Sequence, residues 1–276
     1  MASVRPLLAL HQAGHEIVVV VTGEDRRRSR RAEPSPSPVK EAALSLGLPV
    51  AHNLTAVSES GADLGVVVAF GCLIPADLLA EVPMVNLHFS LLPRWRGAAP
   101  VERAILAGDT TSGVCLIAVD VELDTGGIYA NIEVQVGVDE TANALRDRLV
   151  DAGSSLLLET LANGLEEPTE QEGEPTYAHK IEQSDLELDW SRPATDLERI
   201  VRVGGAWTIF RGRRLKVWAA RVADAVVGIP GSLHDVRVST GEGAIHLIEV
   251  QAESRERQTA EAWLMGARVE PGETLG

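Results

Sequence analysis

Residues 85–100 are the most informative stretch of this chain, and they read VNLHFSLLPRWRGAAP. From Val85 onward, apolar and polar side chains alternate as they do in a half-buried strand. Successive side chains of a strand point to opposite faces, so Asn86, His88 and Ser90 share one face. Ligands of open α/β sheets bind at the carboxyl ends of the strands. We therefore expect Asn86 and His88 to face one ligand-binding crevice.

The segments around this stretch alternate short β-branched runs with helical patterns, which is typical of a parallel sheet covered by helices on both faces. The predicted strands are Ile17 to Val21, Gly65 to Phe70, Met84 to His88, Val114 to Val119 and Ile132 to Val136. The predicted helices are Val4 to Ala13, Pro38 to Leu46, Pro100 to Gly108 and Glu140 to Leu161. We predict an α/β domain over residues 1–165, with a Rossmann-like, doubly wound and mostly parallel sheet.

The remainder of the chain changes character twice. Residues 166–188 are rich in Asp and Glu, and we predict that they form an acidic linker. Beyond them, short strands are separated by glycine-rich turns, a spacing typical of a small β-barrel. These predicted strands are Trp207 to Phe210, Leu215 to Ala219, Gly231 to Arg237 and Ile245 to Gln251. Residues 189–276 are therefore predicted to form a small, OB-like C-terminal β-barrel domain.

Composition narrows the class of protein. The chain has 276 residues, of which 45% are hydrophobic and 24% charged, as in ordinary globular domains. The two cysteines, Cys72 and Cys115, lie in apolar runs, which indicates reduced thiols rather than a disulfide framework. The longest apolar runs fall well short of the roughly 20 residues that a membrane-spanning helix needs. We expect a cytoplasmic protein without a signal peptide.

The charge is distributed unevenly. The net charge of −15 argues, taken alone, against a nucleic-acid partner. However, the stretch from Arg199 to Arg221 contains seven basic residues and no acidic one, and five arginines lie between Arg26 and Arg31. Blocks of like charge are usually solvated surface. On the residues alone, a solvated face and a phosphate-binding face both stay open.

A second polar segment, residues 120–127, reads DVELDTGG and follows a predicted strand. Asp before Gly is a common turn former, so Asp124 needs no other role. The functional interpretation is that the Asp124 carboxylate reaches the His88 imidazole. An amide donor, an imidazole and a carboxylate around one cavity stabilise an oxyanion in acyl transfer. The sequence has no metal-binding motif, phosphate loop or Gly-x-Ser-x-Gly motif, so the substrate's own amine is the predicted nucleophile.

These motifs resemble the 10-formyltetrahydrofolate-dependent formyltransferases. The resemblance is carried by Asn86-x-His88, Ser90-Leu91-Leu92-Pro93 and Leu123-Asp124-Thr125-Gly126. The stretch LLPRWRGAAP at 91–100, with Gly108-Asp109 and Thr111-x-Gly113-Val114, is most similar to the branch that formylates initiator methionyl-tRNA. The resemblance extends over nearly the whole chain and includes Pro36 to Lys40, Asp189 to Pro193 and Arg214 to Val217.

The resemblance implies a fold, a donor and a catalytic trio. In the formyltransferase fold, Asn86 would bind the formyl oxygen and protonated His88 would stabilise the oxyanion. Asp124 would hold His88 charged and assist proton removal from the attacking α-amine. The donor would be 10-formyltetrahydrofolate, and no metal is implied. The residues implied to line the folate pocket are Ser90, Leu91, Leu92, Pro93, Phe70, Gly71, Cys72, Leu73 and Asp120.

The resemblance also implies initiator methionyl-tRNA as the acceptor, bound by a chain that we expect to be monomeric. Arg30 would contact the unpaired acceptor end, and its neighbours Arg26, Arg27, Arg28 and Arg31 would meet phosphates. The acceptor arm would be held by Arg211, Arg213, Arg214 and Lys216.

The start of the sequence departs from the family pattern. Typical members begin with an apolar strand and a Gly-Thr-Pro turn, whereas this sequence begins in a predicted helix. Two explanations stay open: a start codon assigned too far downstream, and a true truncation that leaves a gap near the centre of the sheet. For the chain as written we expect poor solubility. Two other functions stay open: a catalytically silent RNA-binding relic, and a formyltransferase that acts on an amino-sugar nucleotide. A formyl-transfer assay tests the first, and competition by initiator tRNA tests the second.

Overall fold

The computed structural model describes residues 2–27, 33–270 and 272–276. The chain divides into two compact units. The first unit comprises Met1–Pro100, Thr111–Gln135 and Arg146–His179, and the second comprises Val101–Thr110, Val136–Leu145 and Lys180–Gly276. The predicted limits of the catalytic domain, the linker and the C-terminal domain stay a prediction.

Helices and strands alternate along the first part of the chain. Their bounds are α1 (Val4–Gln12), β1 (Val20–Val21), β2 (Arg26–Arg27), β3 (Pro34–Ser35), α2 (Pro38–Ser45), β4 (Val50–Ala51), α3 (Thr55–Ser60), β5 (Gly65–Val67), α4 (Ala76–Glu81), β6 (Met84–His88), β7 (Arg96–Gly97), α5 (Pro100–Ala107), β8 (Thr111–Ala118), β9 (Ile128–Gln135), α6 (Ala142–Asn163) and β10 (Tyr177–Ala178). The strand predicted to run to Phe70 ends at Val67 because Ala69 and Gly71 take positive φ angles of 50° and 72°. Strand β9 begins four residues before the predicted Ile132.

The strands that carry the polar motif form a mixed sheet in the order β5-β6-β8-β9. Strands β5 and β6 pair in parallel, with Val67 opposite Asn86. Strands β6 and β8 pair antiparallel, with His88 opposite Cys115, and β8 and β9 are antiparallel as well. The predicted α/β class is confirmed, and the sheet is mixed rather than mostly parallel.

A second, parallel pair of strands, β1 and β4, forms a sheet of its own. Among the described residues, no backbone pairing joins β1 to β5. The two sheets are linked instead by an apolar cluster in which Val21 packs beside Val57, Leu78 and Met84. Apolar packing is less directional than a hydrogen-bonded ladder, so the β1–β4 pair depends on side-chain contacts more than the central strands do.

The second unit is built on an antiparallel sheet, which confirms the predicted β structure of the C-terminal region, whereas its closure into an OB-like barrel stays a prediction. After a 3₁₀ turn at Ser184–Leu186, its elements are α7 (Ala194–Val203), β11 (Trp207–Phe210), β12 (Arg213–Ala223), β13 (Leu233–His234), β14 (Arg237–Ser239), β15 (Ala244–Ala252), β16 (Gln258–Thr259) and α8 (Ala260–Ala267). The strand order is β11-β12-β15-β14-β13, and β16 pairs with β15. Helix α7 buries Leu197, Ile200 and Val201 against this sheet's core. No helix in the described ranges combines the length and apolar character needed to cross a membrane.

We predict that the two sheets of the first unit differ in hydrogen exchange. Strands β1 and β4 pair over two residues each, whereas β8 pairs with β9 from Thr111 to Ile117 and with β6 from Cys115 to Ala118. Segments with few backbone bonds open locally at less than the global unfolding free energy. Amide exchange measured by mass spectrometry should therefore be faster in peptides covering residues 17–23 than in peptides covering 111–118. Equal protection of the two segments would contradict this division.

Candidate active site

Strand β6 carries the polar side chains of Asn86 and His88 on one face and the deeply buried side chains of Val85 and Leu87 on the other. Val85 and Leu87 are 1% and 2% exposed and pack into the core. Asn86 and His88 therefore project from the opposite face, as the alternation predicts. His88 is itself buried, and Asn86 is partly buried.

The structure brings Asn86, His88 and Asp124 together. The Oδ1 atom of Asp124 lies 3.4 Å from Asn86 Nδ2 and 3.5 Å from His88 Nδ1. The other carboxylate oxygen, Oδ2, accepts a hydrogen bond of 2.8 Å from the backbone amide of Gly97. Because the Asp124 side chain is 9% exposed, its charge depends on these protein donors rather than on water.

The turn that carries Asp124 has to return toward the middle of β6. Since β8 runs antiparallel to β6, its last residues lie beside the start of β6, where the Val119 amide donates to the Met84 carbonyl. Asp124 then takes a positive φ of 54°, a conformation that Asp tolerates better than most residues. A Cβ at Gly126 would overlap the carbonyl oxygen of Ala118, so this position requires glycine.

Both ring nitrogens of His88 face hydrogen-bond acceptors. Nε2 lies 2.9 Å from the carbonyl oxygen of Trp95, and Nδ1 faces the Asp124 carboxylate. A neutral imidazole has one N–H and can donate to only one of these acceptors, whereas the imidazolium form donates to both. The surroundings of His88 therefore suit a cationic ring.

The pKa of Asp124 reflects opposing effects. Burial raises the pKa of this carboxyl, because a charge is disfavoured away from water. The His88 imidazole, the Gly97 amide and the Arg96 guanidinium outweigh burial and hold the pKa of Asp124 below its usual value. Asp124 is thus a carboxylate at neutral pH.

The residues predicted to line a folate pocket take several positions. The Ser90 hydroxyl donates to the Arg94 carbonyl at 2.6 Å, and buried Leu92 packs against Cys115. Gly71, Cys72 and Leu73 are exposed after β5, next to half-buried Phe70; Asp120 is exposed before the Asp124 turn; and Leu91 and Pro93 are partly buried. Their contact with folate stays a prediction.

The residues that support the trio are not among those predicted from the sequence. They belong to the segment 169–178, which lies entirely within the predicted acidic linker. Its Thr176 accepts a hydrogen bond from the Trp95 amide at 2.9 Å, and its Gln171 donates to the Asp124 carbonyl at 2.8 Å. The only signal in the sequence is the uncharged Pro175 to Ala178 run that interrupts the acidic segment.

The predicted tRNA-binding arginines are only partly described. Arg26 and Arg27 are exposed on β2, whereas Arg28, Arg30 and Arg31 lie outside the described residues. Arg211 is engaged within the second unit, where its guanidinium pairs with Glu273 at 2.6 Å.

The remaining predicted basic residues border open clefts of the second unit. Arg213 is exposed, and the Arg214 guanidinium stacks on the Trp207 ring with 4.0 Å between its central carbon and the ring centre. Arg214 and Lys216 line a cleft of about 330 Å³, and Arg213 borders a neighbouring one. Within the described part of the chain, no group of three His, Cys, Asp or Glu side chains could hold a metal ion.

Comparison with known proteins identifies the family. Residues 3–161 match the formyl transferase family model, and residues 180–268 match the model of the formyl transferase C-terminal domain. The first match alone spans more than half of the 276 residues. The chain therefore belongs to the formyl transferase family.

One sequence relative and two solved structures illustrate which formyl transferases this chain is similar to. The methionyl-tRNA formyltransferase of Roseobacter denitrificans is 40% identical over 289 residues, which cover 98% of this chain and 94% of the relative. The N-formyltransferase from Helicobacter canadensis, solved with folinic acid and dTDP-3-aminofucose, has a TM-score of 0.67 at 16% identity and covers 91% of this chain and 95% of its own. HypX from Aquifex aeolicus with tetrahydrofolic acid has a TM-score of 0.62 at 20% identity and covers 84% of this chain, which spans 45% of HypX.

We predict that Asp124→Asn lowers stability in a pH-dependent way. A carboxyl whose folded-state pKa is depressed stabilises the fold above its unfolded pKa of about 3.9, and this contribution is lost as the pH falls through the folded-state value. Urea denaturation should therefore show the variant less stable than the native chain at pH 7, by about 1–3 kcal/mol, with a smaller gap at the most acidic pH at which both fold. The exposed Glu133→Gln serves as control and should show no gap. A gap for Asp124→Asn that stays constant with pH would contradict the assignment.

Proposed function

We propose that this chain transfers a formyl group from 10-formyltetrahydrofolate to the α-amine of initiator methionyl-tRNA, in the cytoplasm and as a monomer. The observation that carries the proposal is the convergence of Asn86 Nδ2 and His88 Nδ1 on one point, the Asp124 Oδ1 atom, at 3.4 and 3.5 Å. Both distances are long for hydrogen bonds. The Asn86 amide and the His88 ring are therefore within reach of one formyl group bound beside Asp124.

The trio suits attack by an amine on a formyl carbon. The amine nitrogen bonds to that carbon, and the carbonyl oxygen becomes an oxyanion held by Asn86 and His88. Asp124 keeps His88 cationic and assists removal of the proton from the attacking amine. When the oxyanion collapses back to a carbonyl, the bond between the formyl carbon and N10 of the folate breaks, and the leaving nitrogen takes up the proton that the amine has lost.

Exposed apolar side chains on the segments that flank the trio favour a formyl donor with a large ring system. Leu123, next to Asp124 in the chain, is 58% exposed, and Leu73 is 70% exposed. Leu73 follows β5, whose carboxyl end lies at the same edge of the sheet as that of β6. Exposed apolar side chains beside buried polar groups are typical of small-molecule sites. The tetrahydrofolic and folinic acids in structures of similar fold support the same assignment.

Initiator methionyl-tRNA is the acceptor that the comparisons favour. The relative that is 40% identical to this chain over nearly its whole length is a methionyl-tRNA formyltransferase. Exposed Arg213 and Arg214 supply charge for phosphates in a chain whose net charge is −15. The amino-sugar nucleotide is the less favoured acceptor, because its structural neighbour is only 16% identical. Inhibition of the reaction by excess initiator tRNA, and not by an amino-sugar nucleotide, is the expected outcome.

Activity is expected to depend on the trio. His88→Ala removes an oxyanion donor, and Asp124→Asn removes the charge that holds the ring, so each should lower kcat by about 100-fold or more. Formyl transfer from 10-formyltetrahydrofolate to charged initiator tRNA is the measurement, with Glu133→Gln as the control that keeps native activity. Near-native turnover of the two site variants would refute the catalytic assignment, and an inactive native chain would support the silent relic instead.

Salt dependence tests the basic surface of the second unit. If Arg213 meets a tRNA phosphate, Arg213→Ala should reduce the slope of log K against log salt concentration by about one. The matched control is Arg5→Ala, because Arg5 pairs with Asp147 and Asp151 on α6. Equal slopes for native protein and Arg213→Ala in a tRNA-binding titration would show that Arg213 contacts no tRNA phosphate.

A further inference from the structure

Gln171 makes four side-chain hydrogen bonds to the loops around the trio. Its Nε2 donates to the carbonyl oxygens of Asp124 and Gly126, at 2.8 and 2.9 Å. Its Oε1 accepts from Arg96 Nε and Nη2, at 3.1 and 2.7 Å. These partners fix the orientation of the amide, because a flipped amide would set its N–H groups against the guanidinium and its oxygen against two carbonyls.

These bonds join the two loops that hold the trio. The amide nitrogen of Gln171 binds the backbone of the turn that carries Asp124. The amide oxygen binds Arg96, which lies between Trp95, the acceptor for His88, and Gly97, the donor to Asp124. A shift of either loop would change the separation of the Asp124 carboxylate from the His88 ring.

The chemistry of the position requires an amide. Gln171 lies in an acidic run between Glu170 and Glu172, both of which are exposed, whereas Gln171 is partly buried. A glutamate at this position would keep the two acceptor contacts with Arg96 but would lose both donors. It would also set a carboxylate oxygen against the carbonyls of Asp124 and Gly126, which is repulsive.

We infer that Gln171 is a positioning residue, which holds the Asp124 turn and the Arg96 loop in register so that the carboxylate meets His88 and Asn86. The inference rests on the proposed function, because its readout is formyl transfer. Misplacement of catalytic groups by about 1 Å can lower rates about 100-fold. We therefore expect Gln171→Glu to lower kcat by about 10- to 100-fold, with little change in KM for either substrate.

A double-mutant cycle separates positioning from a general structural role. Formyl transfer is measured for the native chain, Gln171→Glu, Asp124→Asn and the double variant, with Glu172→Gln as matched control in the same segment. If Gln171 acts through Asp124, adding Gln171→Glu to Asp124→Asn lowers kcat much less than it does in the native chain. Gln171→Met, which removes the donors without adding charge, repeats the cycle if Gln171→Glu does not fold.

The outcomes of this cycle are distinguishable. A drop in kcat for Gln171→Glu, native behaviour of Glu172→Gln and non-additivity with Asp124→Asn support the inference. Native-like kcat for Gln171→Glu or Gln171→Met, or full additivity with Asp124→Asn, overturns it while the proposed function stands. Absence of formyl transfer by the native chain overturns the proposed function itself.

Discussion

A buried carboxylate that must stay ionised is the constraint on which the structure around the trio depends. Asp124 is almost removed from water, where an unpaired charge is strongly disfavoured. The protein compensates with the His88 imidazole, the Gly97 amide and the nearby Arg96 guanidinium. These compensating groups come from different segments, and each segment must be held in place for the carboxylate to keep its charge.

The rest of the first unit supplies that placement. Strand β6 is rigid because it pairs on both sides and buries its apolar face. The loop after β6 is held by the hydrogen bond from the Trp95 amide to the Thr176 hydroxyl. It also approaches β10 so closely that a Cβ at Gly97 would lie 2.9 Å from the Ala178 carbonyl oxygen. The site is therefore assembled by backbone contacts between distant parts of the chain as much as by the trio itself.

Local patterns predicted the parts of the site that depend on local geometry. The alternation along β6 sets Asn86 and His88 on one face, and this required no knowledge of the fold. Asp124 was predicted from its residue type and its turn, but the return of that turn follows from the antiparallel pairing of β8, which the pattern does not encode. Gln171 was not predicted, because it lies between two glutamates and because its partners are distant in sequence and include backbone carbonyls.

The same limit applies to the charged residues. Arg211 belongs to a basic stretch that favours nucleic acid, yet it pairs with Glu273, 62 residues later. Charge counts cannot distinguish an arginine paired with a distant carboxylate from an unpaired one, because the distinction depends on tertiary structure.

The most direct test is a crystal structure of the chain with a stable analogue of the formyl donor. We expect the formyl oxygen within hydrogen-bonding distance, about 2.7–3.2 Å, of both Asn86 Nδ2 and a ring nitrogen of His88, with Asp124 still facing the ring. A formyl group bound beyond the reach of both donors would contradict this expectation.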